Sequence, residues 1–215
     1  MASQPIVIPD DFAGYSLTQF PVPDHYRPYV ANVLIPSGLI GDRVAQLARE
    51  VHADYQGREL QLVCVLKGAS RVFETLLTQL AALNTAAGPG GSVPLAYDFL
   101  QASSYEGTGS SGVVKRVGTP GDLADKHVLV VEDIIDTGIT MLALEEEIQQ
   151  YRPQSLKVLT LLTKRIPGGN GFNPAYTGFN VPNAFLVGYG LDYNGRFRDL
   201  EHICVLNEAG RERFQ

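Results

Sequence analysis

The residues best suited to chemistry lie within nine positions of one another: Glu132 and Asp133, then Asp136-Thr137-Gly138-Ile139-Thr140. A glycine lets a turn aim its backbone N–H groups at one point, and a helix beginning there adds partial positive charge. Thr137 and Thr140 contribute hydroxyl donors, so the loop suits a phosphate dianion. Two carboxylates beside such a loop would repel the phosphate if they faced it. They fit a ligand whose neutral part lies next to its phosphate, accepting hydrogen bonds from a sugar diol or from water around a divalent metal. A phosphorylated ribose satisfies both, with its 5-phosphate in the loop and its 2- and 3-hydroxyls on Glu132 and Asp133. The plainer alternative is a solvated strand end followed by a common turn.

The elements that must position these groups are legible on either side. Val128 to Val131 is a continuous apolar, mostly β-branched run, as expected of a strand buried on both faces of a parallel sheet. Ligands of open α/β sheets bind at the C-terminal edge of such strands. Beyond the loop, Met141, Leu144, Ile148 and Tyr151 recur at spacings of 3, 4 and 3, one face of a helix. Ile40 to Tyr55 is a second helix, with Ile40, Val44, Leu47, Ala48 and Val51 on its apolar face, and Val72 to Leu83 a third. Strands are expected at Leu60 to Leu66, Leu95 to Leu100, Val113 to Val117, Lys157 to Thr163, Ala184 to Val187 and His202 to Leu206. Residues 1–36 are Pro-rich and read as irregular, as do the Gly-, Asn- and Pro-rich residues 167–182. This alternation predicts an α/β fold, a central, mostly parallel sheet flanked by helices. The edge hairpins near 95–117 and 184–206 are expected to form a small hood.

Composition narrows the function. The chain has 215 residues, 45% hydrophobic and 19% charged, enough for one domain with a sizeable core. A formal net charge of −6 argues against a nucleic-acid surface. Cys64 and Cys204 lie inside apolar runs and read as buried free thiols in a reducing compartment. No signal peptide or membrane-spanning run is visible, so the expected location is cytoplasmic. The four histidines form no spaced cluster for zinc.

The segment of two acids and Asp-Thr-Gly-x-Thr after a hydrophobic strand resembles the diphosphoribose-binding motif of the type I phosphoribosyltransferases. Leu66-Lys67-Gly68 resembles that family's pyrophosphate loop, with the Leu66–Lys67 bond expected to be cis. Together with Lys164-Arg165, Val187-Gly188-Tyr189, Leu191-Asp192-Tyr193-Asn194 and Phe197-Arg198-Asp199-Leu200, the resemblance covers Val7 to Phe214 and is to the hypoxanthine-guanine branch. It implies one domain over 1–215, with a core at about 37–165, a hood from the N-terminal segment and about 166–215, and a lid at about 103–113.

The implied reaction moves a 5-phosphoribosyl group from phosphoribosyl diphosphate to a purine base. Glu132 and Asp133 would hold the ribose, and Asp136, Thr137, Gly138, Ile139 and Thr140 the 5-phosphate. Asp136 would take the N7 proton. Lys67, Gly68, Arg198 and the lid pair Ser104 and Tyr105 would hold pyrophosphate. Lys164 would reach the 6-oxo group, Phe185 would stack on the base and the Leu186 backbone would read its edge, with Asp192 nearby. Mg²⁺ would sit among Glu132, Asp133 and Asp192. A homodimer or homotetramer is implied.

Departures from the family pattern are Ile139 where animal relatives often carry Lys, Gln101 and Ser103 at positions often basic, and Gly190 where Ala is usual. They leave room for a weakly active or regulatory nucleotide-binding paralogue. A phosphoacceptor receiver domain also places acids after one strand and Lys after another, but at ~120 residues it needs neither lid nor stacking ring. Arg165 has no expected role.

Overall fold

In the computed structural model, residues 3–103, 115–117, 122–167 and 171–215 are described. The strands are β1 (Ile6–Val7), β2 (Val30–Ile35), β3 (Leu60–Leu66), β4 (Leu95–Ser103), β5 (Lys115–Val117), β6 (His127–Ile135), β7 (Ser155–Lys164), β8 (Tyr176–Val181), β9 (Leu186–Val187) and β10 (Ile203–Leu206). The helices are α1 (Ser37–Tyr55), α2 (Ser70–Ala86), α3 (Ile139–Gln149) and α4 (Glu208–Arg213). A seven-stranded sheet runs in the order β1-β8-β7-β6-β3-β4-β5. Its first six strands are parallel and only β5 is antiparallel, as the βαβ alternation requires.

Both faces of this sheet are covered, which is why its inner strands read as unbroken apolar runs. Successive side chains leave opposite faces. Leu60, Leu62, Cys64, Leu129, Val131, Leu159 and Leu161 pack with Ile40, Val44, Leu47 and Val51 of α1 and Val72, Leu76 and Leu80 of α2. Val63, Val65, Val128, Val130 and Val158 meet Met141, Leu144 and Ile148 of α3 on the other face. The helical face expected from spacing is the one that is buried.

The hood is a separate antiparallel sheet, β2-β10-β9, with its own core of Val30, Val33, Val187, Phe197, Leu200 and Cys204. It differs from expectation in its pieces. Residues 95–103 are not part of it: β4 lies parallel to β3 within the main sheet. Residues 30–35, read as irregular, are a hood strand. Residues 176–181, read as part of a loop-like tail, are a main-sheet strand, and Ile6–Val7 adds beside them. No helix among the described residues is long and apolar enough to cross a membrane.

Candidate active site

Glu132 and Asp133 lie in the C-terminal part of β6 and leave opposite faces. Glu132 is 8% exposed, and its Oε1 accepts from the Asp133 N–H at 2.9 Å. Burial, and then the adjoining Asp133 carboxylate, push its pKa well above the usual carboxylate range. The same burial, helped by these two acids, raises the neighbouring Cys64 thiol to about 12, so this cysteine stays a protonated core residue. Asp133 turns toward β3. A Cβ placed on Gly68 would lie 1.6 Å from its Oδ2, so glycine at position 68 leaves the space that this Asp133 carboxylate occupies.

After Ile135 the chain turns through Asp136-Thr137-Gly138 into α3. Gly138 has φ +78° and occupies the N-cap position, the left-handed conformation that glycine takes without strain. Thr137 Oγ1 accepts from the Ile139 N–H at 3.4 Å. The 11-residue helix then points its N-terminus at the cleft. Thr137, Gly138 and Thr140 border that cleft, but Ile139 does not: its side chain is 40% exposed and turned outward. Any contribution of Ile139 to a phosphate site is therefore made by its backbone.

Opposite this loop lies the end of β3, where the Leu66–Lys67 peptide bond is cis, as the resemblance implied. The hood reaches the same place. Gly190, at φ +99°, backs onto Gly68 so closely that a Cβ on it would be 2.2 Å from the Gly68 carbonyl oxygen. Arg198 donates from Nη1 to the Gly190 carbonyl at 2.6 Å and from Nη2 to Asp192 Oδ1 at 2.6 Å. Asp192 Oδ2 accepts from the Gly195 N–H at 2.7 Å. Lys67, Gly68, Glu132, Asp133, Asp136, Thr140, Asp192 and Arg198 thus surround one cleft of about 310 Å³.

A third group adjoins it through Asp136. Lys164, the last residue of β7, donates to Asp136 Oδ2 at 3.1 Å and lies 6.0 Å from the centre of the Phe185 ring. The Lys164 side chain is only 13% exposed, against 52% for Asp136, so the carboxylate remains open to a ligand while the lysine is held behind it. Phe185 is 43% exposed and braced edge-on by Tyr193 at 5.1 Å. A half-open ring beside a cation suits a flat, polar aromatic ligand. The Leu186 side chain is buried at 5% exposure, and its backbone lies in β9, at the edge of the hood sheet.

Most of the sequence-predicted site residues therefore gather at one sheet edge. Ser104, Tyr105 and most of the expected lid lie outside the described residues. Glu132, Asp133 and Asp192 share the cleft, although among the described residues no three acidic, histidine or cysteine groups converge tightly enough to hold a metal alone. Sequence reasoning missed the hydrophobic lining from Val65, Ile134, Ile135 and Met141, and the long-range partners of Arg165. Nothing local announces those contacts.

Comparisons with known proteins agree with this geometry. The family described as "Phosphoribosyl transferase domain" matches residues 36–194. The human hypoxanthine-guanine phosphoribosyltransferase is 44% identical over 214 residues, covering 98% of this chain and 96% of the relative. The pig enzyme of the same name is 43% identical over 217 residues, covering 99% and 98%. Among solved structures, the hypoxanthine-guanine phosphoribosyltransferase of Schistosoma mansoni in complex with IMP superposes with a TM-score of 0.84 at 36% identity, covering 99% of this chain and 100% of that one.

Proposed function

The chain belongs to the hypoxanthine-guanine phosphoribosyltransferases, and from that premise we propose that it transfers the 5-phosphoribosyl group of phosphoribosyl diphosphate to N9 of hypoxanthine or guanine. The products are IMP or GMP and pyrophosphate, a purine salvage reaction. The observation that carries this reading is the single cleft in which an anion loop, paired acids and a cation-bearing strand end face one another.

Each residue then has a task. Backbone amides from Asp136 to Thr140 hold the 5-phosphate at the α3 N-terminus. Glu132 and Asp133 accept from the ribose hydroxyls. Lys67, the Gly68 backbone and Arg198 meet the pyrophosphate, Arg198 through a fork that matches its oxygens. The incoming base stacks on Phe185 and accepts from Lys164 at its 6-oxo group. Adenine, with an amino group there, offers no acceptor. The Leu186 backbone reads the base edge. Asp136 takes the N7 proton as N9 becomes nucleophilic.

The acids also suit Mg²⁺ arriving with the diphosphate, because that ion is commonly held by one or two carboxylates while substrate oxygens and waters complete its shell. Asp192 and the Glu132–Asp133 pair would hold it, and when bound it offsets the charge of the departing pyrophosphate. Ser104 and Tyr105 are assigned to closing over the diphosphate, which excludes water from an electron-poor anomeric carbon.

We also assign the chain to a homodimer or homotetramer. Tyr97 and Phe99 are 51% and 47% exposed, and both ring-pack with Phe73 in the first turn of α2, an exposed apolar patch that suits a partner subunit. Two buried free cysteines favour the cytoplasm. The weakly active paralogue loses one of its supports, since Ile139 does not border the cleft.

A steady-state assay with phosphoribosyl diphosphate, Mg²⁺ and each of hypoxanthine, guanine, xanthine and adenine tests the reading. IMP and GMP should form with equimolar pyrophosphate and adenine should be inert. A chain that formed no nucleotide from any of the 6-oxopurines would not be this enzyme.

A further inference from the structure

Lys164 ends β7, where a strand leaves its ladder and would ordinarily fray. Its neighbour Arg165 is held by more partners than a strand end needs. The Arg165 N–H donates to the Val181 carbonyl at 2.9 Å, carrying the ladder one residue past Lys164. Its Nη1 donates to the Asn180 carbonyl at 2.9 Å and to Asn180 Oδ1 at 2.7 Å. Its Nη2 donates to the Ile8 carbonyl at 2.6 Å and to Asp10 Oδ1 at 2.6 Å. Asn180 in turn donates from Nδ2 to Thr163 Oγ1 at 3.0 Å, on the other side of Lys164.

Side chains of residues 163 and 165 leave one face of an extended strand and that of residue 164 leaves the other. Tying Thr163 and Arg165 to β8 and to the N-terminal segment therefore turns Lys164 toward Asp136 on the rim of the cleft. A second arginine fastens the far end of the same segment. Arg43 of α1, 6% exposed, donates to the Gln4 carbonyl and Ser3 Oγ, and to the Thr177 and Gly178 carbonyls of β8. Neither arginine borders the cleft.

We propose that Arg165 is a positioning residue for the purine half of the site: through Ile8, Asp10 and Asn180 it holds the β7 end so that Lys164 meets the base. The N-terminal segment strapped down by Arg43 and Arg165 is then part of the base-selection apparatus, although it contributes no side chain to it. The proposal rests on the reading in which Lys164 contacts the 6-oxo group. A lysine could not substitute at position 165, because a single ammonium lacks the flat fork that spans Asn180 on one side and Ile8 with Asp10 on the other.

Steady-state kinetics of Arg165→Gln and Arg165→Lys, with KM measured separately for hypoxanthine and phosphoribosyl diphosphate and Tm recorded beside them, test this. Small displacements of a positioning group cost up to about a hundredfold. Arg165→Gln should raise the hypoxanthine KM about tenfold, a change of about 1.4 kcal/mol. The diphosphate KM should stay within about twofold of wild type, and Arg165→Lys should recover only part of the loss. If Arg165→Gln does not fold, Asn180→Ala takes its place, since it keeps the guanidinium and removes the link to Thr163. Unchanged hypoxanthine KM, or equal rises for both substrates, would overturn the proposal. Wild-type protein without transferase activity would instead overturn the functional reading on which it rests.

Discussion

The two halves of the site are built in opposite ways. The half proposed to hold the sugar phosphate is one uninterrupted piece of chain, β6, a tight turn and α3, from His127 to Gln149. The half proposed to hold the purine and pyrophosphate is collected from five places: Lys67-Gly68, Lys164, Phe185, Asp192 and Arg198. The first half is already contiguous in the chain, and the sheet fixes it through the ladders of β6 with β3 and β7 while α3 packs on one face. The second depends on contacts between residues far apart in the chain, such as the Gly190–Gly68 approach and the Arg165 network. A continuous unit carries its chemistry wherever the strand and helix are packed. An assembled one is only as well placed as its most distant anchor.

The largest expected effect isolates chemistry in the continuous half. Asp136→Asn keeps the shape of the side chain and an oxygen for Lys164 while removing the proton acceptor. General-base removal typically costs about 10²–10⁴-fold, and a fall in kcat of that size is expected with hypoxanthine. Affinity for phosphoribosyl diphosphate, measured by calorimetry, should change little because the loop amides are intact. Parallel losses in kcat and in diphosphate binding would mean that Asp136 builds the loop instead of acting on the base.

The contrast between the halves also explains how much was legible in the sequence. Val128 to Val131 and the Met141, Leu144, Ile148 face are local patterns, and the structure places strand and helix where the periodicities put them. The strand at Tyr176–Val181 was hidden by Gly178 within it and by the Gly-, Asn- and Pro-rich run before it. Position 178 requires glycine because a Cβ there would be 2.5 Å from the Leu161 carbonyl oxygen of β7, a constraint set by a neighbour seventeen residues away. β2 was masked by Pro28 and Pro36 on either side of it. Lys164 was visible as a cation at a strand end. Its ion pair with Asp136 and the fastening of its neighbour Arg165 were not, since hydrogen-bond partners 15 and 155 residues apart leave no local trace.

A second test strikes the joint between the halves. Gly68→Ala would put a methyl group 1.6 Å from Asp133 Oδ2 and 2.5 Å from its Cγ. The Asp133 side chain can swing aside, so the fold should survive, but the carboxylate then leaves the position from which it is proposed to hold the ribose. The KM for phosphoribosyl diphosphate is expected to rise about 10–100-fold, the scale of an ångström-sized misplacement, with a smaller change for guanine. If only the guanine KM moved, the joint would belong to the purine side alone.

The smallest effect probes how the assembled half is held down. His202 precedes β10 and is 3% exposed; its Nδ1 accepts from the Ser37 N–H at 3.0 Å, capping the start of α1. That bond requires an unprotonated Nδ1. Burial lowers the His202 pKa below 6.5, with Glu201 opposing the shift. A group whose folded pKa is depressed contributes stability that is complete above its unfolded pKa and is lost as pH falls through the folded value. Wild-type stability from urea unfolding should therefore decline from about pH 6.5 downward, with a slope of at most about 1.4 kcal/mol per pH unit for this one proton. His127 is shifted in the same direction by its burial and by Arg58 and Lys157, so it adds to the same window. The difference between wild type and His202→Gln isolates the hood contribution, because a glutamine oxygen can still accept from Ser37 but cannot take up a proton. The acid slope should be shallower in His202→Gln by up to one proton. Identical slopes would show that His202 takes up no additional proton on unfolding and that its bond to Ser37 gives the hood no pH-dependent anchoring, so that the two halves would differ less in their response to acid than in their chain order.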